Sequence, residues 1–538
     1  MNKSIQFQPE TAMGLGQGID LVVRAVRPTL GPISRTVVVG REAVDQPPAI
    51  MDNAGIIARR IIEIANPCEN TGAMLVRNVV WRLYEDVGDG TATAAILFGA
   101  LYKEGHQMRA SGMNMMRMRS YFMRGLTACQ DELSNMAMKV ENLQQLVCLA
   151  ESTCFDAQLA DLLGEAQGTL GEFGRVDIRI SQHQESSLEF IEGSVWEEGV
   201  LSHEILAKYN RNSAQIDLDN AHVLLSNLKI ETPEELIPLL DMAYRAGFKK
   251  LIIFAEQISD KALSMLTSNI ANTIQVIPVK VPGADTSNQL DALTDLAKIT
   301  GSRPILKATG ESLENLCLKD LGTVKRFWAS KSHFGIVYDQ DENGALHEHY
   351  SHLEKAYSQA QDPEKRKLIL ERLGRLLLSS AVVKVGGSSR VITEARKATA
   401  VRTLPILCSA LNEGIVPGGG TALLRCIPRL LDMADDASEL EEKTAYRILA
   451  RALQEPARVL MQNAGIEPSV NITDVLNADA CYGFDVRSNC IVDLMEAGIL
   501  NSVAVEKAII REAIAGAAMA LTIDTIIYPK NREVSQVP

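Results

Sequence analysis

The chain has no apolar run long enough to span a bilayer. Its longest, such as Ala513 to Ile523, falls short of the roughly 20 apolar residues a membrane helix needs. The opening MNKSIQFQPETAMG lacks the apolar core of a secretion signal, so the expectation is a cytoplasmic protein that stays in the compartment where it is made. Nine cysteines, among them Cys68, Cys129, Cys148, Cys154 and Cys408, show neither close pairing nor histidine companions, which argues against a zinc site and against a disulfide framework. Basic blocks are missing too. With 54 Lys and Arg against 67 Asp and Glu the net charge is -13, which disfavours nucleic acid as a partner and helps solubility. The eight histidines and scattered acids assemble no HExxH, no Ser-His-Asp arrangement and no dinucleotide fingerprint. No internal repeat or low-complexity segment stands out.

What is present is size and pattern. A chain of 538 residues with 46% hydrophobic content supports three or four domains with sizeable cores. Both ends read as helical: Val76, Val79, Val80, Leu83 and Val87 fall at helical spacing, and Ala94 to Tyr102 is apolar almost all round, as in a buried helix. The middle differs. KLIIFAE (250–256), QVIPVKVP (275–282) and FGIVYD (334–339) are short strand-like runs alternating with helical ones, which places an α/β insert at roughly 192–380. Helical segments at Asp362 to Leu378 and Arg396 to Leu411 lead out of it.

Two glycine-rich stretches carry the chemistry. Gly88 to Thr93 reads GDGTAT and Pro417 to Gly420 reads PGGG, and each opens into an apolar helical run. Glycine permits positive φ and lets backbone N–H groups approach an anion, while a helix start adds unpaired donors and partial positive charge. Thr91 and Thr93 can offer hydroxyls to phosphate, and Asp89 can hold a magnesium ion that carries phosphate oxygens. The combination points to a nucleotide.

Around these stand TLGP (Thr29 to Pro32), ENTGA (69–73), NEGIVPGGG (412–420) and YGF (482–484), and in this order and spacing the chain resembles the GroEL-type (group I) chaperonin family from Gly18 to about Lys530. The resemblance implies a multidomain α and α/β fold. A mainly helical equatorial ATPase-like domain (1–135 and 413–538) would carry a nested intermediate hinge domain (136–191 and 381–412) and an α/β apical domain (192–380). It further implies homo-oligomeric heptameric rings, non-native protein clients, a GroES-type co-chaperonin, and ATP with Mg2+. By the same resemblance Thr29, Leu30, Gly31 and Pro32 line the nucleotide pocket, Asp89 binds the metal, Gly90, Thr91, Ala92 and Thr93 meet the phosphates, and Gly419 lies beside the ribose.

The departures from the family are specific. The aspartate that orients or deprotonates the attacking water falls twelve residues before Gly414, and here that position is Arg402. Arginine stays protonated and offers only donors, so it cannot act as a base. Two readings of Arg402 stay open: a cation that reaches a terminal phosphate, or a solvent-facing residue. The family's lysine-aspartate-glycine segment corresponds to Asp52, Asn53, Ala54 and Gly55 with one residue inserted, which makes Asp52 a possible substitute carboxylate. The nucleotide-contacting aspartate near the C-terminus is Asn501. At the client-binding positions Val200, Leu201, Ile205, Ile237, Leu240 and Leu263 are apolar, whereas Glu204, Thr267 and Ser268 interrupt the stripe and no aromatic remains. Ordinary helix packing is the other reading of those leucines. The expectation is a chaperonin with impaired or slow ATP hydrolysis. The alternative is a non-hydrolysing holdase or scaffold paralogue. A metabolic phosphotransferase finds no further catalytic constellation to support it.

Overall fold

A computed structural model describes residues 3–33, 35, 37–39, 49–51, 53–172, 174–181, 183–202, 216–267, 274–283, 285–338, 344–360, 362–376 and 379–529. The chain separates into two compact units. One combines Met1–Glu172, Ile178–Ser187 and Lys384–Pro538; the other combines Phe173–Asp177 and Leu188–Val383. Among the described residues no helix is long and apolar enough to cross a membrane.

The first unit is helical because its apolar residues recur every three or four positions. Leu15, Ile19, Val22 and Val26 line the buried stripe of the Glu10–Val26 helix, and Val76, Val80 and Leu83 that of the Pro67–Asp86 helix. Asn66 caps the second of these, its side chain accepting from the Cys68 N–H, with Pro67 in the first turn. The two helices approach so closely that a Cβ on Gly18 would overlap the Glu69 carbonyl oxygen. Backbone cannot yield as a side-chain tip can. Gly18→Ala is therefore expected to cost about 1–3 kcal/mol, net of alanine's better helix propensity, as a lowered unfolding midpoint in urea. An unchanged midpoint would show that the helices separate freely.

The Val503–Leu521 helix is buried on almost every side and packs against Thr91–Ala110 and Met115–Asn135. The two ends of the chain also pair directly, Lys3–Gln6 running antiparallel to Ile526–Pro529. GDGTAT forms the helix-turn-helix junction read from the sequence, between Pro67–Asp86 and Thr91–Ala110. PGGG differs: it opens into only the short helix Thr421–Arg425, and Ile427–Asp436 follows with Pro428 in its first turn. The helix read from Arg396 begins earlier, at Arg390, because the Ser389 side chain caps the Ile392 N–H.

The second unit is built on a mixed six-stranded sheet in the order Gln275–Lys280, Lys250–Ala255, Ile216–Leu225, Gly322–Ala329, Phe334–Val337, Ser194–Trp196. The first three strands are mutually parallel and the rest antiparallel. The three strand-like runs of the sequence all lie in this sheet. Side chains alternate across a strand, so the continuous apolar run at Lys250–Ala255 feeds both faces. Leu251, Ile253 and Ala255 enter one core with Leu236, Leu239 and Leu240; Ile252 and Phe254 enter the other with Trp196, Phe327 and Phe334. The helices Thr286–Thr300, Gly344–Gln359 and Pro363–Leu376 contribute to the aromatic side.

Candidate functional site

The GDGT turn has the backbone its glycines predict. Gly88 has φ +81° and Gly90 φ +74°, and Gly90 serves as N-cap of the 20-residue helix Thr91–Ala110. Any other side chain at Gly90 would meet both strain and a clash, because an added Cβ would overlap Ile509 of the Val503–Leu521 helix. Among the described residues no side chain caps this helix start. The first-turn N–H groups of Thr91, Ala92 and Thr93 have no partner within the helix, which makes this end an anion-attracting surface. The Asp89 side chain is accessible to solvent although protein crowds it closely, as expected of a residue lining a crevice. That crowding raises its pKa, while the Gly90 N–H and the charge of Arg402 pull it down.

Other chain segments converge on the same helix. The Arg27–Thr29 turn, the Glu455–Asn463 helix and the Val503–Leu521 helix all pack against Thr91–Ala110. Asn463 fastens the TLGP loop, its Nδ2 donating to the carbonyls of Arg27 (3.0 Å) and Leu30 (2.9 Å). Leu460 of the same helix lies 2.8 Å from the position of a Cβ on Gly31, and Ala457 lies 3.2 Å from that on Gly420. One helix thus seats both TLGP and PGGG. Thr29 turns its hydroxyl to the Val26 carbonyl (2.7 Å), and Pro32 is exposed. Gly419 is half-buried, 3.7 Å by the same measure from the Phe484 carbonyl of the YGF segment.

The strand Ile415–Pro417 pairs antiparallel with Leu500–Ser502, setting Val416 opposite Asn501. Asn501 Nδ2 donates to Glu506 Oε1 at 2.6 Å. Glu506 is only 2% exposed, and its Oε2 has no hydrogen-bond partner among the described residues. Burial pushes the Glu506 carboxyl up from 4.5 to about 7; the Asn501 bond opposes this and the nearby Asp89 charge adds to it. Between those values the native state binds more protons than the unfolded state, so Glu506 makes stability fall as pH rises from about 4.5 to 7. Glu506→Gln is expected to flatten that slope, measured as melting midpoints at pH 5 and pH 8. A slope unchanged by the substitution would remove Glu506 as its source.

Arg402 lies where the water-activating acid was expected, at the GDGT turn. Its Cβ and carbonyl oxygen are each 3.4 Å from the position of a Cβ on Gly88. The side chain is half-buried, its guanidinium 5.7 Å from the Tyr84 ring centroid and its Nη2 donating to Thr399 Oγ1 at 3.3 Å. Its Nε is buried without a hydrogen-bond partner among the described residues. Asp52 lies outside the described residues. Asn53 caps the Ala54–Arg60 helix by accepting from the Ile56 N–H, with Ala54 and Gly55 buried.

The client-binding candidates lie in the second unit. Of these, Ile237 is 53% exposed, Leu201 and Leu263 are half-buried, and Val200 and Leu240 are buried. Leu240 packs into the core with Leu236 and Leu239, which is the helix-packing reading of that residue; Val200 belongs to the aromatic-side core. Glu204, Ile205 and Ser268 lie outside the described residues. Tyr244, two turns from Ile237 on the Ile237–Arg245 helix, is 63% exposed, and its i, i+7 spacing sets it on the same helix face as Ile237. Asn463 and Glu506 escaped the motif reading. Glu506 is detectable as the one acid on the otherwise apolar 506, 509, 510, 513 stripe of its helix, whereas Asn463 leaves no sequence signal.

Residues 22–531 match the family model of the TCP-1/cpn60 chaperonins. The fold is similar to that of the chaperonin gp146 from the bacteriophage EL 2 (Pseudomonas aeruginosa), solved in the presence of ATP-BeFx in two crystal forms. For form I the TM-score is 0.73 at 15% identity and for form II 0.65 at 16%, each covering 98% of this chain and 99% of gp146. With the family match running almost from end to end, the chain belongs to the TCP-1/cpn60 chaperonin family.

Proposed function

We propose that this chain is a group I-type chaperonin that binds ATP with Mg2+, captures non-native polypeptides as a heptameric ring, and hydrolyses ATP slowly. The reading is carried by one helix, Thr91–Ala110, whose start is the GDGT turn: the Arg27–Thr29 turn and the Glu455–Asn463 helix that seats both TLGP and PGGG pack against it, and Asn501 beside Gly418 bonds Glu506, which feels the charge of Asp89. Uncapped N–H groups at Thr91 to Thr93 suit phosphate oxygens. Asp89, accessible yet raised in pKa by the protein around it, fits a divalent cation, which relieves the cost of a crowded carboxylate. A magnesium ion there would neutralise phosphate charge; Asp89 holds it and the glycine turns orient the phosphates. Arg402 supplies a fixed positive charge at the GDGT turn and no proton acceptor, which supports binding over hydrolysis. In domain terms, 1–135 with 413–538 form the equatorial domain, 136–191 with 381–412 the hinge, and 192–380 the apical domain.

Calorimetric titration with ATP and Mg2+ beside steady-state phosphate release tests this. Binding with turnover far below ordinary chaperonin rates is expected. Absence of binding overturns the reading, and rapid turnover overturns its slow-hydrolysis part. Light scattering in the same buffer should give a ring-sized particle; a stable monomer would end the encapsulation model and leave the holdase alternative.

A further inference from the structure

We propose that Glu506 is a positioning residue that locks the Asn501 amide so that Oδ1, not Nδ2, faces the Gly418–Gly420 turn, making Asn501 an acceptor for a hydrogen-bond donor on the nucleoside part of the ligand. The inference rests on the nucleotide reading above and deepens it.

The geometry is direct. Asn501 is held at its backbone by the pairing of Leu500–Ser502 with Ile415–Pro417, and at its side chain by the 2.6 Å bond to Glu506. With Nδ2 engaged there, Oδ1 turns to the glycine turn and lies 3.2 Å from the position of a Cβ on Gly418. The two ends of an amide are nearly equal in size and opposite in hydrogen-bond character, so only a partner of fixed character decides which end faces a ligand. Above pH 7, where Glu506 carries its charge, its carboxylate is such a partner, because it accepts and never donates, so the nucleotide comparison is made at pH 8. Glu506 is buried, and its remaining oxygen has no partner among the described residues, so Asn501 is its single hydrogen bond. Phosphate oxygens are acceptors and gain nothing from Oδ1. Ribose hydroxyls and the exocyclic amine of adenine are donors and do.

The test compares Kd values for ATP, 2′-deoxy-ATP, 3′-deoxy-ATP and inosine triphosphate, each with Mg2+. Wild type is expected to prefer ATP about ten-fold over the analogue lacking the recognised donor, the scale of one well-made hydrogen bond. The deoxy nucleotides report a hydroxyl and inosine triphosphate reports the amine. Glu506→Gln, whose own amide accepts or donates, is expected to bring that ratio close to one. Adding Asn501→Asp to it should restore the preference, because both carboxylate oxygens accept whichever way the group turns. Asn501→Ala in the wild-type background should abolish it while ATP still binds. A wild type with no preference overturns the inference, as does Glu506→Gln with the wild-type ratio, or a double variant that stays indifferent. Failure of wild type to bind any of the four nucleotides overturns the nucleotide reading instead.

Discussion

Arg402→Asp is expected to raise the steady-state rate of phosphate release from ATP by about a hundred-fold or more, within the range of roughly 10² to 10⁴ that a positioned general base contributes. Position 402 sits beside the GDGT turn, its Cβ and carbonyl oxygen each 3.4 Å from the position of a Cβ on Gly88, and its charge bears on Asp89. What it lacks is an acceptor for a proton from water. Arg402→Ala separates loss of the cation from gain of a base, and is expected to leave turnover low. The substitution also sets two carboxylates near one another, each raising the pKa of the other, so the dependence on Mg2+ should steepen in Arg402→Asp. Unchanged turnover in the aspartate variant would sink the claim that position 402 alone limits hydrolysis, and would move attention to Asn501 and Ala54.

Asp295→Ala is expected to destabilise the second unit by about 3–5 kcal/mol, the cost of leaving a buried charge without its partner. Asp295 is fully buried on the Thr286–Thr300 helix. Its carboxylate accepts from His349 Nε2 at 2.7 Å on the Gly344–Gln359 helix, and from Arg372 Nη2 at 2.7 Å and Nε at 2.9 Å on the Pro363–Leu376 helix. Arg372 also pairs with Asp291 at 2.9 Å. Burial alone would lower the Arg372 pKa; the two aspartates more than reverse that and hold it above its ordinary value. Three helices thus share one anionic pin. Removing it leaves a largely buried guanidinium with only the half-exposed Asp291. Chemical denaturation followed by the fluorescence of Trp196 and Trp328, both in this unit, reads the change. A loss below about 1 kcal/mol would show that water or Asp291 replaces Asp295 at little cost.

The comparison between sequence and structure turns on distance along the chain. GDGTAT and PGGG were legible because a positive φ writes itself into residue type: Gly88, Gly90, Gly419 and Gly420 all adopt it. Three of the six strands of the central sheet, Gln275–Lys280, Lys250–Ala255 and Phe334–Val337, were legible because a run buried on both faces is apolar throughout; Ser194–Trp196, Ile216–Leu225 and Gly322–Ala329 were not read. The Asp295 pin was not, because its partners lie 54 and 77 residues away and nothing in the local pattern of Asp295 separates it from a solvent-exposed aspartate. Leu240 read equally well as client contact or core, and only the helix orientation sends it inward.

The amino-acid sequence by itself carried the resemblance to the chaperonins, the helical ends, the α/β middle, the glycine turns and the arginine at position 402, since each is a matter of residue type and spacing. Tertiary structure alone decided that Asn463 ties down the TLGP loop, that Glu506 is buried against Asn501, and that Ile237 and Tyr244 face outward while Leu240 does not. The physical reason is that backbone conformation follows from a residue and its near neighbours. The burial of a charge, and the group that satisfies it, depend on surfaces that meet only after segments hundreds of residues apart have packed.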